Sequence, residues 1–128
     1  MTLIRTLTLC VALAALSLPT AAFARHGGND GKTVTGSCTK ASTSKLKVKA
    51  DNGRLETEFE VDQNRSGVKW NVTLRRNGNV AVKSTARTKS PSGSFSFQRR
   101  LANGAGKDRI SARATSPSGE VCTASLSF

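Results

Sequence analysis

Between Lys45 and Asp62 the chain reads KLKVKADNGRLETEFEVD, and few arrangements can satisfy that stretch. Apolar residues alternate with lysines on one side of Asn52-Gly53 and with glutamates on the other. A two-residue period is that of a strand with one face buried, and Asn-Gly is the preferred dipeptide of a two-residue type I′ hairpin turn. Counting outward from that turn puts Asp51 opposite Arg54, Lys49 opposite Glu56, Lys47 opposite Glu58 and Lys45 opposite Glu60. The same count puts Leu46 against Phe59, Val48 against Thr57 and Ala50 against Leu55 on the other face. A slip of one residue would expose every apolar side chain. The charged ladder is therefore expected to pair with itself, at ~0.2–1 kcal/mol per pair, fixing the register and discouraging edge pairing rather than reading a partner.

The rest of the chain follows the same grammar. Strands are expected at Val34–Cys38, Lys45–Ala50, Arg54–Val61, Val68–Arg76, Val80–Arg87, Ser94–Arg100, Arg109–Thr115 and Glu120–Phe128, separated by turns rich in Gly, Asn and Pro. Short alternating strands at close spacing, with no sustained helical period, indicate an all-β sandwich or barrel. For the hairpin after Leu74, a three-residue Arg76-Asn77-Gly78 loop with Gly78 in a bulge would pair Leu74 with Val80 and Val72 with Val82, keeping those side chains on one face. The expected core is Val34, Leu46, Val48, Leu55, Phe59, Val61, Trp70, Val72, Leu74, Val80, Val82, Phe95, Phe97, Leu101, Ile110, Ala112, Ala114, Leu126 and Phe128. Trp70 reads as the central core tryptophan of a sandwich.

The N-terminus has a different character. Arg5, the apolar run Leu7 to Leu18, Pro19 and the tripeptide Ala22-Phe23-Ala24 form the n-region, h-region and cleavage site of a secretory signal peptide, residues 1–24. The run is shorter than the ~18–20 apolar residues a membrane span needs. Cys10 lies inside the h-region, where it is not a lipidation site. Residues 25–32 read as a flexible Gly-rich lead-in and residues 33–128 as the domain. Cleavage would leave Cys38 and Cys122, and an exported chain with two cysteines predicts one disulfide between them. No metal or cofactor is expected, since the only histidine, His26, falls in the lead-in.

At VKWNVTLRRNG and GKDRISARATSPSGEVC the chain resembles small exported immunoglobulin-like or fibronectin-III-like β-sandwich proteins of actinobacterial type. The resemblance spans roughly residues 33–128 and rests on a core Trp on the fourth strand, an Asp before the seventh and an SGE-x-C final hairpin. It implies an immunoglobulin-like two-sheet sandwich of seven to eight antiparallel strands in a bacterial extracellular protein. It carries over no catalytic residue. The sequence has no Tyr, so the tyrosine corner of immunoglobulin domains is missing, and the cysteines lie near the two ends.

No catalytic site is legible in the pattern, so the chain is not expected to be an enzyme. No Ser–His–Asp grouping is available, bridged cysteines leave no thiol nucleophile, and the glutamates face lysines rather than a cleft. Charge is more informative. After cleavage, 19 Lys and Arg stand against 8 Asp and Glu, a net of +11. By strand parity Lys69, Arg75, Lys83, Arg87, Arg109 and Arg113 point outward on the fourth, fifth and seventh strands, with Asn71, Thr73, Thr85 and Ser111 between them and no acid. In an immunoglobulin-like arrangement these strands share a sheet, so one sheet face would be cationic and the other self-neutralised. The leading expectation is a secreted module that binds an anionic polymer or cell-wall surface through that basic face. A protein-interaction or inhibitor domain using the loops Thr88 to Gly93 and Ala102 to Asp108, and a structural secreted protein with no specific ligand, are the alternatives. A dedicated nucleic-acid target is not expected, because the aromatics that could stack on bases point inward.

Overall fold

The computed structural model describes residues 31–128. The signal-peptide reading of residues 1–24 and most of the lead-in lie outside the described residues. Within them the chain folds into β1 (Lys32–Thr35), β2 (Ser37–Cys38), β3 (Thr43–Asp51), β4 (Arg54–Asp62), β5 (Lys69–Arg76), β6 (Asn79–Arg87), β7 (Ser94–Ala102), β8 (Arg109–Thr115) and β9 (Val121–Ser127). Two antiparallel sheets result, a four-stranded one ordered β1-β3-β4-β7 and a five-stranded one ordered β2-β9-β8-β5-β6. Among the described residues there is no helix. The fold is an all-β two-sheet sandwich with one disulfide, as expected from the alternation, the resemblance and the cysteine count together.

The β3–β4 hairpin has the expected register at every position, from Asp51 opposite Arg54 to Lys45 opposite Glu60 and Leu46 opposite Phe59. Asn52 and Gly53 take the two positive φ values, 49° and 73°, that a type I′ turn demands. Ion pairing within the ladder is only partly as expected. Lys45–Glu60 at 3.6 Å and Lys49–Glu56 at 3.5 Å form. Glu58, however, accepts a hydrogen bond from Gln98, and Asp51 pairs with Arg100 at 2.6 Å rather than with Arg54. Both donors come from β7, which lies on the far side of β4, so the acidic strand is flanked by partners on both sides.

One expected strand becomes two. The Val34–Cys38 run breaks at Gly36, so that β1 pairs with β3 and β2 with β9. The strand thus steps from one sheet to the other. A Cβ on Gly36 would sit 2.4 Å from the carbonyl oxygen of Thr123, so only glycine permits the crossing. Cys38 then lies directly opposite Cys122 in the β2–β9 ladder, with their Cα atoms 4.0 Å apart and the disulfide formed. It closes a loop of 84 residues, a constraint on the unfolded chain of about 4–5 kcal/mol in the chain-entropy view.

The β5–β6 hairpin corrects the sequence reading. Its loop is the two-residue Asn77-Gly78 turn, with φ of 52° and 83°, not a three-residue loop. Arg76 pairs with Asn79 and Arg75 with Val80, and then the register shifts so that Leu74 meets Val82 and Val72 meets Ser84. The extra residue is Ala81, a bulge within the strand. Val82 still turns inward against the core, but Val80 does not, and it is 51% exposed. The other expected core residues are buried or packed against the buried cluster, with Trp70, Phe59, Leu46, Leu55 and Leu74 fully enclosed. Trp70 donates from its indole Nε1 to Gln63 Oε1 at 3.1 Å, which satisfies its one polar atom.

Candidate functional site

The sheet order places β8, β5 and β6 side by side, and strand parity then decides which side chains share a face. On β5, Trp70, Val72 and Leu74 are buried, so Lys69, Asn71, Thr73 and Arg75 face outward. On β8, Ile110, Ala112 and Ala114 are buried, which turns out Arg109, Ser111 and Arg113. On β6 the Ala81 bulge restores the parity, and Lys83, Thr85 and Arg87 face out beside Thr73, Asn71 and Lys69. All six cations singled out from the sequence are therefore exposed on the outward face of one sheet. None takes part in the four ion pairs among the described residues, which involve Lys45, Lys49, Arg76 and Arg100.

The register also subdivides the face. Lys69 lies opposite Arg87 at one end. A row of Asn71, Thr85 and Thr115 comes next. Beyond it Thr73 lies between Lys83 and Arg113, and Arg75 lies opposite Ser111, with Arg109 two residues further along β8. The Asn71, Thr85 and Thr115 row carries no charge on any of the three strands it crosses. The six are a group of four and a pair, separated by neutral side chains.

Three of the group of four border an open depression of about 520 Å³. Arg75, Arg109 and Arg113 line it together with the hydroxyls of Thr73, Ser111, Thr123 and Ser125, and the chain from Val34 to Ser37 forms one side. Ser111 is the hub, opposite Arg75 on β5 and Ser125 on β9 and flanked along its own strand by Arg109 and Arg113. Arg109 Nη2 donates to Ser125 Oγ at 3.2 Å, which directs its guanidinium across the sheet. Parity located the arginines and Ser111. It did not locate Thr123, Ser125 or the Gly36 crossing, because local alternation carries no information on which strand lies beside β8.

Other chemically suggestive residues serve the fold. Glu120 is buried, and its carboxylate accepts hydrogen bonds from the backbone N–H groups of Lys40 and Ser42 at 3.1 and 3.0 Å and from Ser42 Oγ. It thereby anchors the turn between β2 and β3. Cys38, Glu120 and Cys122 have ligand atoms within 4.8 Å of one another, but the two sulfurs are bonded to each other and are not available as thiolates. Asp108, also buried, receives Arg76 Nη2 at 2.8 Å, Asn77 Nδ2 at 2.9 Å and the Gly104 N–H at 3.1 Å. These donors, with the Asn77 amide foremost, outweigh burial and hold its carboxyl below the usual aspartate range. The sequence marks both acids as motif residues, the Asp before the seventh strand and the Glu of the final hairpin, but not as anchors of the fold. Their partners on other strands are what reveal them.

The two loops considered as protein-binding elements are held at their ends. Thr88 Oγ1 donates to the Arg65 carbonyl and accepts from the Val68 N–H at 2.9 Å, and Gly93 packs against Asn64 and Arg65. Asp108 fixes the end of the Ala102 to Asp108 loop. No protein-family model matches the chain, and no curated protein matches it.

Proposed function

We propose that the protein is a secreted, non-catalytic binding module that holds anionic polymers, of the cell wall or another extracellular polyanion, against the outward face of its five-stranded sheet. One observation carries the reading: Lys69, Arg75, Lys83, Arg87, Arg109 and Arg113 share that face, and the ion-paired carboxylates of the described residues lie elsewhere. Cations left unneutralised by their neighbours retain their field toward solvent and concentrate anionic partners. The Cys38–Cys122 bridge accords with an oxidising compartment. Nucleic acid would be attracted only through its phosphates, because the outward positions of β5, β6, β8 and β9 among the described residues hold no aromatic side chain to stack on a base.

The test separates a site from diffuse charge. Arg75→Glu, Arg109→Glu and Arg113→Glu combined should abolish retention on a polyanionic matrix at ~0.15 M salt, where screening confines the attraction to nearby charges. The control is Lys40→Glu, Lys89→Glu and Lys107→Glu, which makes the same change in net charge at exposed positions off that face. Identical elution of the two triple variants would reduce the binding to net charge and remove the face as a site.

A further inference from the structure

We propose that the depression ringed by Arg75, Arg109 and Arg113 seats a pendant sulfate ester of an acidic polysaccharide, one ester at a time. The inference rests on the polyanion reading and gives that face a chemical preference. Three guanidinium groups and the hydroxyls of Thr73, Ser111 and Ser125 line one concavity. A guanidinium is a planar fork that donates two parallel hydrogen bonds to an oxyanion and is more weakly hydrated than an ammonium. Three such forks, approaching from two strands, call for an anion with three free oxygens. A carboxylate offers two, and a phosphodiester within a polymer backbone also offers two. A sulfate monoester offers three, is itself weakly hydrated, and hangs from its polymer so that it can enter a depression without the main chain following. The depression, about 520 Å³ and open to solvent, admits the ester with part of the sugar bearing it. The lining contains no aromatic residue, so there is no platform for an uncharged sugar ring, and affinity must come from the anion. The Ser and Thr hydroxyls accept as well as donate, which suits a ligand whose sugar hydroxyls surround the ester. Lys69 and Arg87, beyond the neutral Asn71 row, add attraction for a long polymer without forming part of the seat.

The experiment compares dextran sulfate, polygalacturonate and inorganic polyphosphate at equal concentrations of charge and ~0.15 M salt, using the full mature protein and the variant carrying Arg75→Lys, Arg109→Lys and Arg113→Lys. That variant keeps every charge and loses every fork, and far-UV circular dichroism confirms its fold. Wild-type protein should bind dextran sulfate about tenfold or more tighter than the other two polymers, and the lysine variant should bind all three within about threefold of one another. Equal wild-type affinity for the three polymers would overturn the sulfate seat while leaving the polyanion face standing. A preference for polyphosphate would replace the sulfate source with a phosphate one and overturn the proposal as stated. Retention of the preference by the lysine variant would overturn the role of the forks. Failure of wild-type protein to bind any of the three would remove the polyanion reading itself, and the seat with it.

Discussion

The two outer faces of the sandwich are written in the same alphabet and behave oppositely. On the four-stranded sheet, Lys45, Lys47 and Lys49 alternate with core residues, and Glu60, Glu58 and Glu56 stand opposite them. On the five-stranded sheet, Lys69, Arg75, Arg109 and Arg113 alternate with core residues in the same manner, but their neighbours are hydroxyls, amides and other cations. Within a single strand the patterns cannot be told apart. Only the neighbouring strand decides whether a row of cations is neutralised or left facing solvent. A charge pattern is thus a property of a ladder, not of a strand.

The sharpest way to break the comparison is to reverse charges on each face and read stability. Lys45→Glu, Lys47→Glu and Lys49→Glu combined would set three glutamates against three glutamates. At ~0.2–1 kcal/mol for each of the two attractions lost and a similar amount for each of the three repulsions gained, the total loss is about 1–5 kcal/mol. The Arg75, Arg109 and Arg113 reversals should cost little stability, because none of the three takes part in an ion pair that reversal would break. Urea unfolding with unchanged m-values measures both. Equal losses would mean that the faces do not differ.

A second test concerns an acid at the end of the cationic sheet. Asp108 meets Arg76 at the end of β5 from within the fold, not on the outward face. Because its folded-state pKa is lowered, its contribution is fully present above the unfolded aspartate value of about 4 and is lost as pH falls through the folded value. Acid titration of stability should show wild-type protein losing stability below about pH 4, and Asp108→Asn, already less stable at neutral pH, losing less over the same window. Parallel acid limbs would show that another group governs that window.

The smallest effect has opposite sign on the two faces. Lys49→Gln removes a cation facing Glu56 and should cost ~0.2–1 kcal/mol, whereas Lys69→Gln removes one facing Arg87 and should raise stability by a few tenths of a kcal/mol, about 0.2–0.5. Precise chemical denaturation of the two variants gives the signs. A loss for Lys69→Gln would show that the end pair is held by something other than simple repulsion.

What could be read from the sequence follows the range of each signal. The β3–β4 hairpin was legible throughout because turn residues, apolar parity and complementary charges all specify the same register. The outward direction of the six cations was legible from parity alone. Their division into four and two was not, since it depends on Asn71, Thr85 and Thr115 falling in one row across three strands. Ladder partners such as Gln98 and Arg100 were missed because strand order is not encoded locally. Glu120 escaped for the same reason: the amides it holds, those of Lys40 and Ser42, are about eighty residues away in sequence. Val80 was misplaced because two solutions, a longer loop or a bulge within the strand, restore the face of Val82 equally well.

That bulge bears on how the chain tolerates changes in length. Removing Ala81 would join the Arg75–Val80 pair directly to the Leu74–Val82 pair, and Lys83, Thr85 and Arg87 would stay on their present side. A one-residue deletion between Ser84 and Arg87 would instead invert the facing of the positions between the cut and the bulge, or from the cut toward the chain end, and turn a charge such as Lys83 toward the core. Ala81 is thus a residue the hairpin can dispense with. Its loss would have a different consequence: β6 is an edge strand, and a bulge twists an edge away from foreign strands. Straightened, that edge would offer an unbroken row of backbone donors and acceptors to another chain, and self-association would be the cost of the shorter sequence.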